Sequence, residues 1–132
     1  MNPAMPPDSQ PATGATPLAL MESSTAFDTV LGASVAAGLP LLLTFTGPKC
    51  MICRQLAPML SVVVREAGDR LASARADAEA LPDLSERYAV RSLPTTLLFR
   101  NGLVVDRIAG FATAGSLRDW LAKHAITLAA RH

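Results

Sequence analysis

The chain contains only two cysteines, Cys50 and Cys53, and two residues separate them. They follow an apolar run at 41–46 and open a segment with helical periodicity that extends to about Ala67. A helix N-terminus carries unpaired N–H groups and partial positive charge, which favour a thiolate over a thiol. A cysteine pair at a strand-to-helix turn is therefore typical of thiol–disulfide exchange. With no further cysteine, neither a disulfide framework nor a four-cysteine metal site can form within one chain.

Composition restricts the class of protein. At 132 residues, half of them apolar, the chain is expected to form one globular domain. The net charge is +1, with both signs scattered along the sequence. A nucleic-acid binder would concentrate positive charge on one face or stripe, so we expect no nucleic-acid partner.

The uncharged stretch 29–48 is long enough to be considered as a membrane-spanning helix or a signal peptide, but the sequence favours neither. Gly32, Gly38 and Pro40 interrupt it, and the first basic residue of the chain, Lys49, comes after it rather than before it. We therefore expect a short helix followed by a buried strand, no membrane partner and location in the cytoplasm. In that compartment a lone cysteine pair is more often catalytic or metal-binding than structural.

Three regions are expected along the chain. Residues 1–17 hold five of the ten prolines and are expected to form an extended tail. Residues 18–126 carry the ordered pattern of the domain, and residues 127–132 are expected to be a frayed end.

The hydrophobic pattern predicts an alternation of strands and helices. The predicted strands are 18–21, 41–46, 71–76, 95–99 and 103–108. The predicted helices are 24–37, 50–67, a short one opened by a capping box at 83–86 and ending near Tyr88, and 113–124. Asn101-Gly102 between two apolar runs predicts a hairpin. The order βαβαβαββα predicts an α/β fold with a mixed central sheet and helices on both faces.

Helical spacing also predicts the buried faces. The inward residues of the first helix are predicted to be Phe27, Val30, Leu31 and Val35, those of the second Leu56, Leu60, Val63 and Val64, and those of the last Leu117, Trp120 and Leu121. Trp120 is therefore expected in the core. His124 and His132 lack the spacing of a zinc site with the cysteines, so no metal is expected.

Four local segments resemble the thioredoxin family. Phe45–Pro58 is similar to the active-site strand, turn and helix of that family, and Val90–Thr95 to its cis-proline loop. Phe99–Gly102 resembles its hairpin and Ala109–Phe111 its glycine-containing loop. The resemblance covers roughly residues 18–125. It implies a thioredoxin-like three-layer fold and a protein-disulfide oxidoreductase that needs no cofactor.

The two cysteines would then have different roles. Cys50, at the helix start and next to Lys49, is the expected nucleophile, with a pKa below the free value of about 8.5. Cys53, one turn further and more buried, is the expected resolving thiol.

The resemblance also implies a docking surface. Pro94 would be cis and would leave the Leu93 backbone free to pair with an extended substrate. The residues expected to bind substrate are Lys49, Met51, Ile52, Leu93, Pro94, Gly110 and Phe111. This mainly apolar patch favours a protein or peptide disulfide over a small charged molecule. Alternatively, Phe111 packs inward.

Several positions depart from the family pattern. Lys49 stands where the family usually has Trp, and Met51-Ile52 where it has Gly-Pro. The buried Asp of the family falls on Thr44 and its companion Lys on Arg75, so both residues are expected to modulate the reaction. Because Thr44 cannot take up a proton, we expect slow resolution of mixed disulfides. Alternatively, Thr44 only packs, and water transfers the proton.

Three functions remain open. The first is a monomeric oxidoreductase recycled by a reductase of unknown identity. The second is a dedicated partner-binding or chaperone-like protein of the same fold with weak general reductase activity. The third is a carrier that holds Cu(I) or another soft metal on the two thiolates.

Overall fold

A five-stranded sheet organises residues 16–128, the part of the chain that the computed structural model describes. Most of the predicted tail, residues 1–15, and most of the predicted frayed end, residues 129–132, lie outside the described residues. None of the described helices combines the length and the apolar character that crossing a bilayer requires.

The order of elements follows the prediction. The strands are β1 (Ala19–Leu20), β2 (Leu41–Thr46), β3 (Ala72–Asp77), β4 (Thr95–Arg100) and β5 (Leu103–Ala109). The α-helices are α1 (Ser24–Ala37), α2 (Met51–Ala67), α3 (Pro82–Arg87) and α4 (Ala114–Lys123), and a 3-10 turn, Gly68–Arg70, follows α2. The strands lie in the order β1-β3-β2-β4-β5. Strands β1, β3 and β2 are parallel to one another, whereas β4 pairs antiparallel with both β2 and β5. The predicted α/β fold with a mixed sheet is confirmed.

The central strand β2 is covered by helices on both faces, and its sequence is apolar except at Thr44 and Thr46. Leu42 packs with α2 and α4 in one core, whereas Leu41, Leu43 and Phe45 pack with Phe27 of α1 in the other. Since successive side chains of a strand point to opposite faces, a strand covered on both sides needs apolar residues facing both ways and not only at every second position.

Helix α1 shows one error in the predicted buried face. Phe27 is buried as expected, but Val35 is 43% exposed and Ser34 is buried instead. Relative to Phe27, Ser34 stands seven positions on, close to two helical turns, while Val35 is rotated a further 100° away. The Ser34 hydroxyl donates to the Leu31 carbonyl at 2.8 Å, which satisfies this buried polar group.

The predicted capping box at the start of α3 is wrong. Helix α3 begins one residue earlier, with Pro82 in its first turn, and Leu81 at the N-cap position makes no side-chain capping bond. Proline lacks an N–H, so one fewer donor needs a partner there. The Asp83 carboxylate instead accepts the Ser24 hydroxyl of α1 at 2.6 Å, and this hydrogen bond lowers the pKa of Asp83.

The predicted hairpin joins β4 to β5. Asn101 and Gly102 have φ of 54° and 82°, the left-handed values that a tight hairpin turn requires. The pairing then shifts between Leu98 and Phe99, which leaves Val105 out of register. This bulge lies on the outer strand of the sheet, where bulges are common.

Candidate active site

The turn between β2 and α2 places the cysteines at the C-terminal edge of the sheet. Strand β2 ends at Thr46, and Cys50 is the N-cap residue of α2. Gly47 permits this turn to lie against a neighbouring loop, because a Cβ at Gly47 would be only 2.9 Å from Cδ1 of Leu93. A side chain at position 47 would therefore push Leu93 away.

The two sulfurs are bonded to each other, and their Cα atoms are 5.2 Å apart, within the range that a disulfide allows. Cys50 is partly exposed, whereas Cys53 is only 7% exposed. The Cys53 N–H donates to Sγ of Cys50 at 3.1 Å. Such a donor at a helix N-terminus stabilises negative charge on Cys50 when the pair is reduced.

Two further segments meet the cysteine turn. The Leu93–Pro94 peptide bond is cis, and Pro94 is buried. The Gly110 N–H donates to the Pro94 carbonyl at 2.8 Å, which holds the segment after β5 against the loop before β4. The Thr95 hydroxyl donates to the Ser92 carbonyl at 2.7 Å and closes that loop.

The apolar side chains of these segments face solvent. Met51 is 59% exposed, Ile52 42% and Phe111 46%, while Leu93 is partly buried. Phe111 therefore does not pack inward. Exposed apolar side chains concentrated at one place are typical of an interaction surface.

A small cavity of about 50 Å³ lies behind the buried sulfur. Cys53, Thr44, Arg75 and Pro94 are among the residues that line it. The cavity has room for at least one water molecule with polar partners. Cys53 thus lies between the partly exposed Cys50 on one side and a cavity with polar lining residues on the other.

The two residues expected to modulate the reaction occupy this cavity with different partners. Thr44 is 4% exposed, and the Thr96 hydroxyl of β4 lies 3.1 Å from its own hydroxyl. Arg75 is opposite Thr44 in the β2–β3 pairing, but its Nε donates to the Leu18 carbonyl at 2.7 Å. The described residues that line the cavity therefore include two threonines, Thr44 and Thr46, and Arg75, but no Asp or Glu.

Sequence reasoning missed two cations on the same face. Besides the expected Lys49, Arg54 in the first turns of α2 and Arg91 in the loop before β4 are exposed, and both belong to segments that meet at the cysteine turn. The sequence does carry a sign of them: no Asp or Glu occurs at 47–65 or at 87–105.

Metal ligands are sparse in the part of the chain that the structure describes. No group of three or more His, Cys, Asp or Glu side chains there could hold a metal ion. Nε2 of His124 lies 2.8 Å from the Asp106 carboxylate, remote from the cysteines on the β5–α4 side of the fold.

Comparison with known proteins gives the family. A family model described as Thioredoxin matches residues 19–123, which include both cysteines, all five strands and all four α-helices given above. The chain belongs to the thioredoxin family. With the bonded Cys50–Cys53 pair, membership makes it a thiol–disulfide oxidoreductase.

Individual relatives agree. The chain is 28% identical over 88 residues to Thioredoxin 1 of Synechococcus elongatus, covering 67% of this chain and 82% of that relative. It is 32% identical over 84 residues to the thioredoxin of Bacillus subtilis, covering 64% of this chain and 81% of that relative. The fold is similar to the crystal structure of Fasciola hepatica thioredoxin, with a TM-score of 0.73 and 21% identity over 81% of this chain and 99% of that one.

Proposed function

We propose that this thioredoxin-family protein exchanges disulfides with protein substrates through Cys50 and Cys53. The observation that carries the proposal is the asymmetry of the bonded pair. One sulfur is partly exposed at a helix N-terminus within an apolar surface, and the other is buried one turn further along α2.

The reduced pair would act in two steps. The Cys50 thiolate attacks one sulfur of a substrate disulfide, forms a mixed disulfide and releases the other substrate sulfur as a thiolate. The Cys53 thiolate then attacks Sγ of Cys50, which forms the Cys50–Cys53 bond and releases the second substrate sulfur. Two electrons pass to the substrate, and solvent protonates its two thiolates. The reverse sequence oxidises a substrate dithiol.

The surroundings of Cys50 support a macromolecular substrate. Met51, Ile52 and Phe111 offer exposed apolar contacts, and Met adapts its shape to different partners. In our proposal an extended substrate segment pairs with the backbone at Leu93. Lys49, Pro94 and Gly110 complete the surface, with Pro94 and Gly110 joined by a backbone hydrogen bond.

Thr44 and Arg75 are proposed to set the rate of the second step. Release of the substrate requires Cys53 to lose a proton, and the cavity behind it has room for a water that could accept one. A hydroxyl is a poor base, so resolution is expected to be slow. Recycling by a separate reductase, a monomeric state and location in the cytoplasm stay predictions.

Reduction of insulin with dithiothreitol as the terminal reductant tests the proposal. The wild type should accelerate the precipitation of the insulin B chain. A Cys53→Ser variant that is reduced, freed of dithiothreitol and then mixed with insulin should instead accumulate a mixed disulfide with insulin through Cys50, visible by mass spectrometry. The Cys50→Ser variant is the matched control and should do neither.

The alternatives give different results. Failure of Cys53→Ser to trap any disulfide substrate, together with tight Cu(I) binding by the reduced wild type, would replace the proposal by a metal carrier. Trapping without measurable turnover of the wild type would favour a dedicated partner-binding protein.

A further inference from the structure

The face around Cys50 has a one-sided charge. The segments that form it, 47–54, 91–95 and 109–112, contain no Asp or Glu and carry three cations, Lys49, Arg54 and Arg91, all exposed. Lys49 and Arg54 flank the two cysteines in sequence, and Arg91 stands two residues before Leu93 in the loop that contacts the cysteine turn. The surface is therefore cationic and apolar at once.

The three cations are not used in holding the fold together. Other arginines of the described chain form ion pairs, such as Arg87 with Asp28 at 2.8 Å and Arg118 with Glu66 at 2.8 Å. Among residues 16–128, no ion pair engages the three cations at the site, and the guanidinium of Arg54 contacts Sδ of Met51 at 3.8 Å. Their charges are thus available to a partner.

Negative charge at this edge of the sheet lies to one side. Asp77 and Glu79 follow β3, which is separated from β4 and β5 by the central strand β2. The Asp77 carboxylate is also engaged, since it accepts the N–H groups of Glu79 and Ala80 at 2.8 and 3.2 Å. The cationic side is the one that includes the Leu93 loop and Phe111.

We infer that this face selects protein disulfides whose flanking segment is acidic, with apolar residues next to the reacting cysteine. The inference rests on the proposed function and names its substrate class. Apolar neighbours of the substrate sulfur would contact Met51 and Phe111, and carboxylates further out would lie near Lys49, Arg54 and Arg91.

The physical basis is charge complementarity between the cations of this face and an acidic substrate segment, which must outweigh the negative charge of the Cys50 thiolate. A Cys50 thiolate by itself repels an acidic segment, and three nearby cations reverse the sign of the local potential. A surface of one sign accelerates the encounter with an oppositely charged partner by about 10- to 1,000-fold at low ionic strength. Salt removes the effect, because the screening length falls from about 10 Å at 0.1 M to about 3 Å at 1 M.

Synthetic peptide disulfides test the inference with the full chain. Each is a disulfide-linked homodimer in which Leu flanks Cys on both sides and the outer positions are all Glu, all Gln or all Lys. The reduced protein is mixed with each peptide under single-turnover conditions, and the second-order rate constant is measured by acid quench and chromatography. Each rate is divided by that of dithiothreitol with the same peptide, which removes differences in the intrinsic reactivity of the peptide sulfurs.

The expected order is Glu faster than Gln faster than Lys. The ratio of the normalised Glu and Lys rates should be about tenfold at 0.1 M ionic strength and approach one at 1 M salt. Arg54→Gln and Arg91→Gln should each lower this ratio by about threefold, and the double change to Glu should invert it. These two arginines are preferred to Lys49 because they do not adjoin Cys50 in sequence.

Arg65→Gln is the matched control. Arg65 is exposed on the same helix, but it lies roughly 22 Å along the helix axis from Cys50 at 1.5 Å per residue. At 0.1 M salt that distance exceeds the screening length of about 10 Å, so the control should keep the wild-type ratio.

The failures are distinguishable. Equal normalised rates for the Glu and Lys peptides would overturn the inference and leave the proposed function intact. An equal loss of preference in Arg65→Gln would also overturn it, because the effect would then come from net charge rather than from this face. If none of the peptides is reduced faster than by dithiothreitol, the proposed function itself fails.

Discussion

Thr44 lines the same cavity as Cys53, but its hydroxyl cannot take up a proton from that cysteine at neutral pH. Its buried hydroxyl and that of Thr96 lie 3.1 Å apart beside the cavity that Cys53 lines. A carboxyl group in that position would be partly protonated near neutral pH, because burial raises a carboxyl pKa, and could exchange a proton with Cys53.

We therefore predict that Thr44→Asp accelerates the release of a mixed disulfide at Cys50 by roughly tenfold. The measurement is the decay of the preformed mixed disulfide with a peptide, followed by quenching and mass spectrometry. Thr44→Val is the matched control of similar shape. It should leave the release rate near that of the wild type and cost about 1–3 kcal/mol of stability, because the buried Thr96 hydroxyl loses its partner.

An unchanged release rate in Thr44→Asp would contradict the prediction. Thr44 would then be a packing residue of the central strand, and water in the cavity would transfer the proton unaided.

Single residues differ in how far the sequence could predict them. Cys50 and Cys53 are predictable because their chemistry is local: two sulfurs, one turn of helix and its N-terminus. Arg54 and Arg91 were missed because an exposed cation has no pattern of its own until the fold brings its loop to the site. The Thr44–Thr96 contact depends on the register of two strands 52 residues apart, which no local pattern fixes.

The contact between β5 and α4 depends on one carboxylate. Asp106 of β5 accepts the indole N–H of Trp120 at 2.9 Å and lies 2.8 Å from Nε2 of His124. The hydrogen bond with His124 is the largest cause that lowers the pKa of Asp106 to about 2, with smaller contributions from the Arg107 backbone N–H, Trp120 and Lys123. The helix and the outer strand are thus joined by an ionised group.

We predict that Asp106→Asn lowers the free energy of unfolding by about 1–2 kcal/mol at pH 7, a value reduced for partial exposure of the carboxylate. Because the pKa of Asp106 is lower in the folded protein than the usual 3.8, its contribution is complete above about pH 4. It is lost as the pH falls through about 2. The difference between wild type and variant should therefore shrink between pH 4 and pH 2.

Urea unfolding followed by the fluorescence of Trp120, the only tryptophan, measures this difference. Asp119→Asn, an exposed change on α4 with the same effect on net charge, is the control and should behave like the wild type. A pH-independent difference for Asp106→Asn would mean that the side chain stabilises by its shape and neutral hydrogen bonds alone.

Among the elements, those with a strong and complete pattern were predicted well. Helix α1 and strand β2 have the predicted bounds, since a capped helix and a doubly covered strand each impose a clear periodicity. Helix α3 lies within one residue of its predicted bounds, but its capping box was wrong, because the helix starts at Pro82 and Asp83 bonds to Ser24 in a distant segment. Short helices are set by tertiary contacts more than by propensity.

For the whole molecule, the two-layered packing of helices on the sheet determines where the chemistry lies. Helices α2 and α4 pack on one face and α1 and α3 on the other, so the C-terminal edge of β2 is left open between them. The cysteine turn, the Leu93 loop and the segment after β5 meet at that edge.

The order of elements could be predicted from sequence because crossovers between parallel strands follow few rules. The cavity behind Cys53 could not, because it is closed by Leu18 from the far end of the chain.

The N-terminal segment 18–21 contacts β3, and these contacts give a prediction about the stability of the whole molecule. The Leu18 N–H donates to the Ser73 hydroxyl at 2.8 Å, and its carbonyl accepts Nε of Arg75 at 2.7 Å. The Met21 N–H donates to the Arg75 carbonyl at 2.8 Å, and Ala19 pairs with β3. These contacts close one side of the cavity next to Cys53.

A chain that begins at residue 22 should consequently lose about 2–4 kcal/mol of stability, from roughly three hydrogen bonds of about 1 kcal/mol each and the partial burial of Leu18. Its reduced Cys53 should also react faster with iodoacetamide, because the cavity is opened to solvent. A chain that begins at Thr16 retains every one of these contacts and is the matched control, with wild-type stability and alkylation rate. If the two truncated chains unfold at the same urea concentration and Cys53 stays equally protected in both, then β1 does not close the cavity. The protection of the resolving sulfur would in that case come from α2 and the Pro94 loop alone.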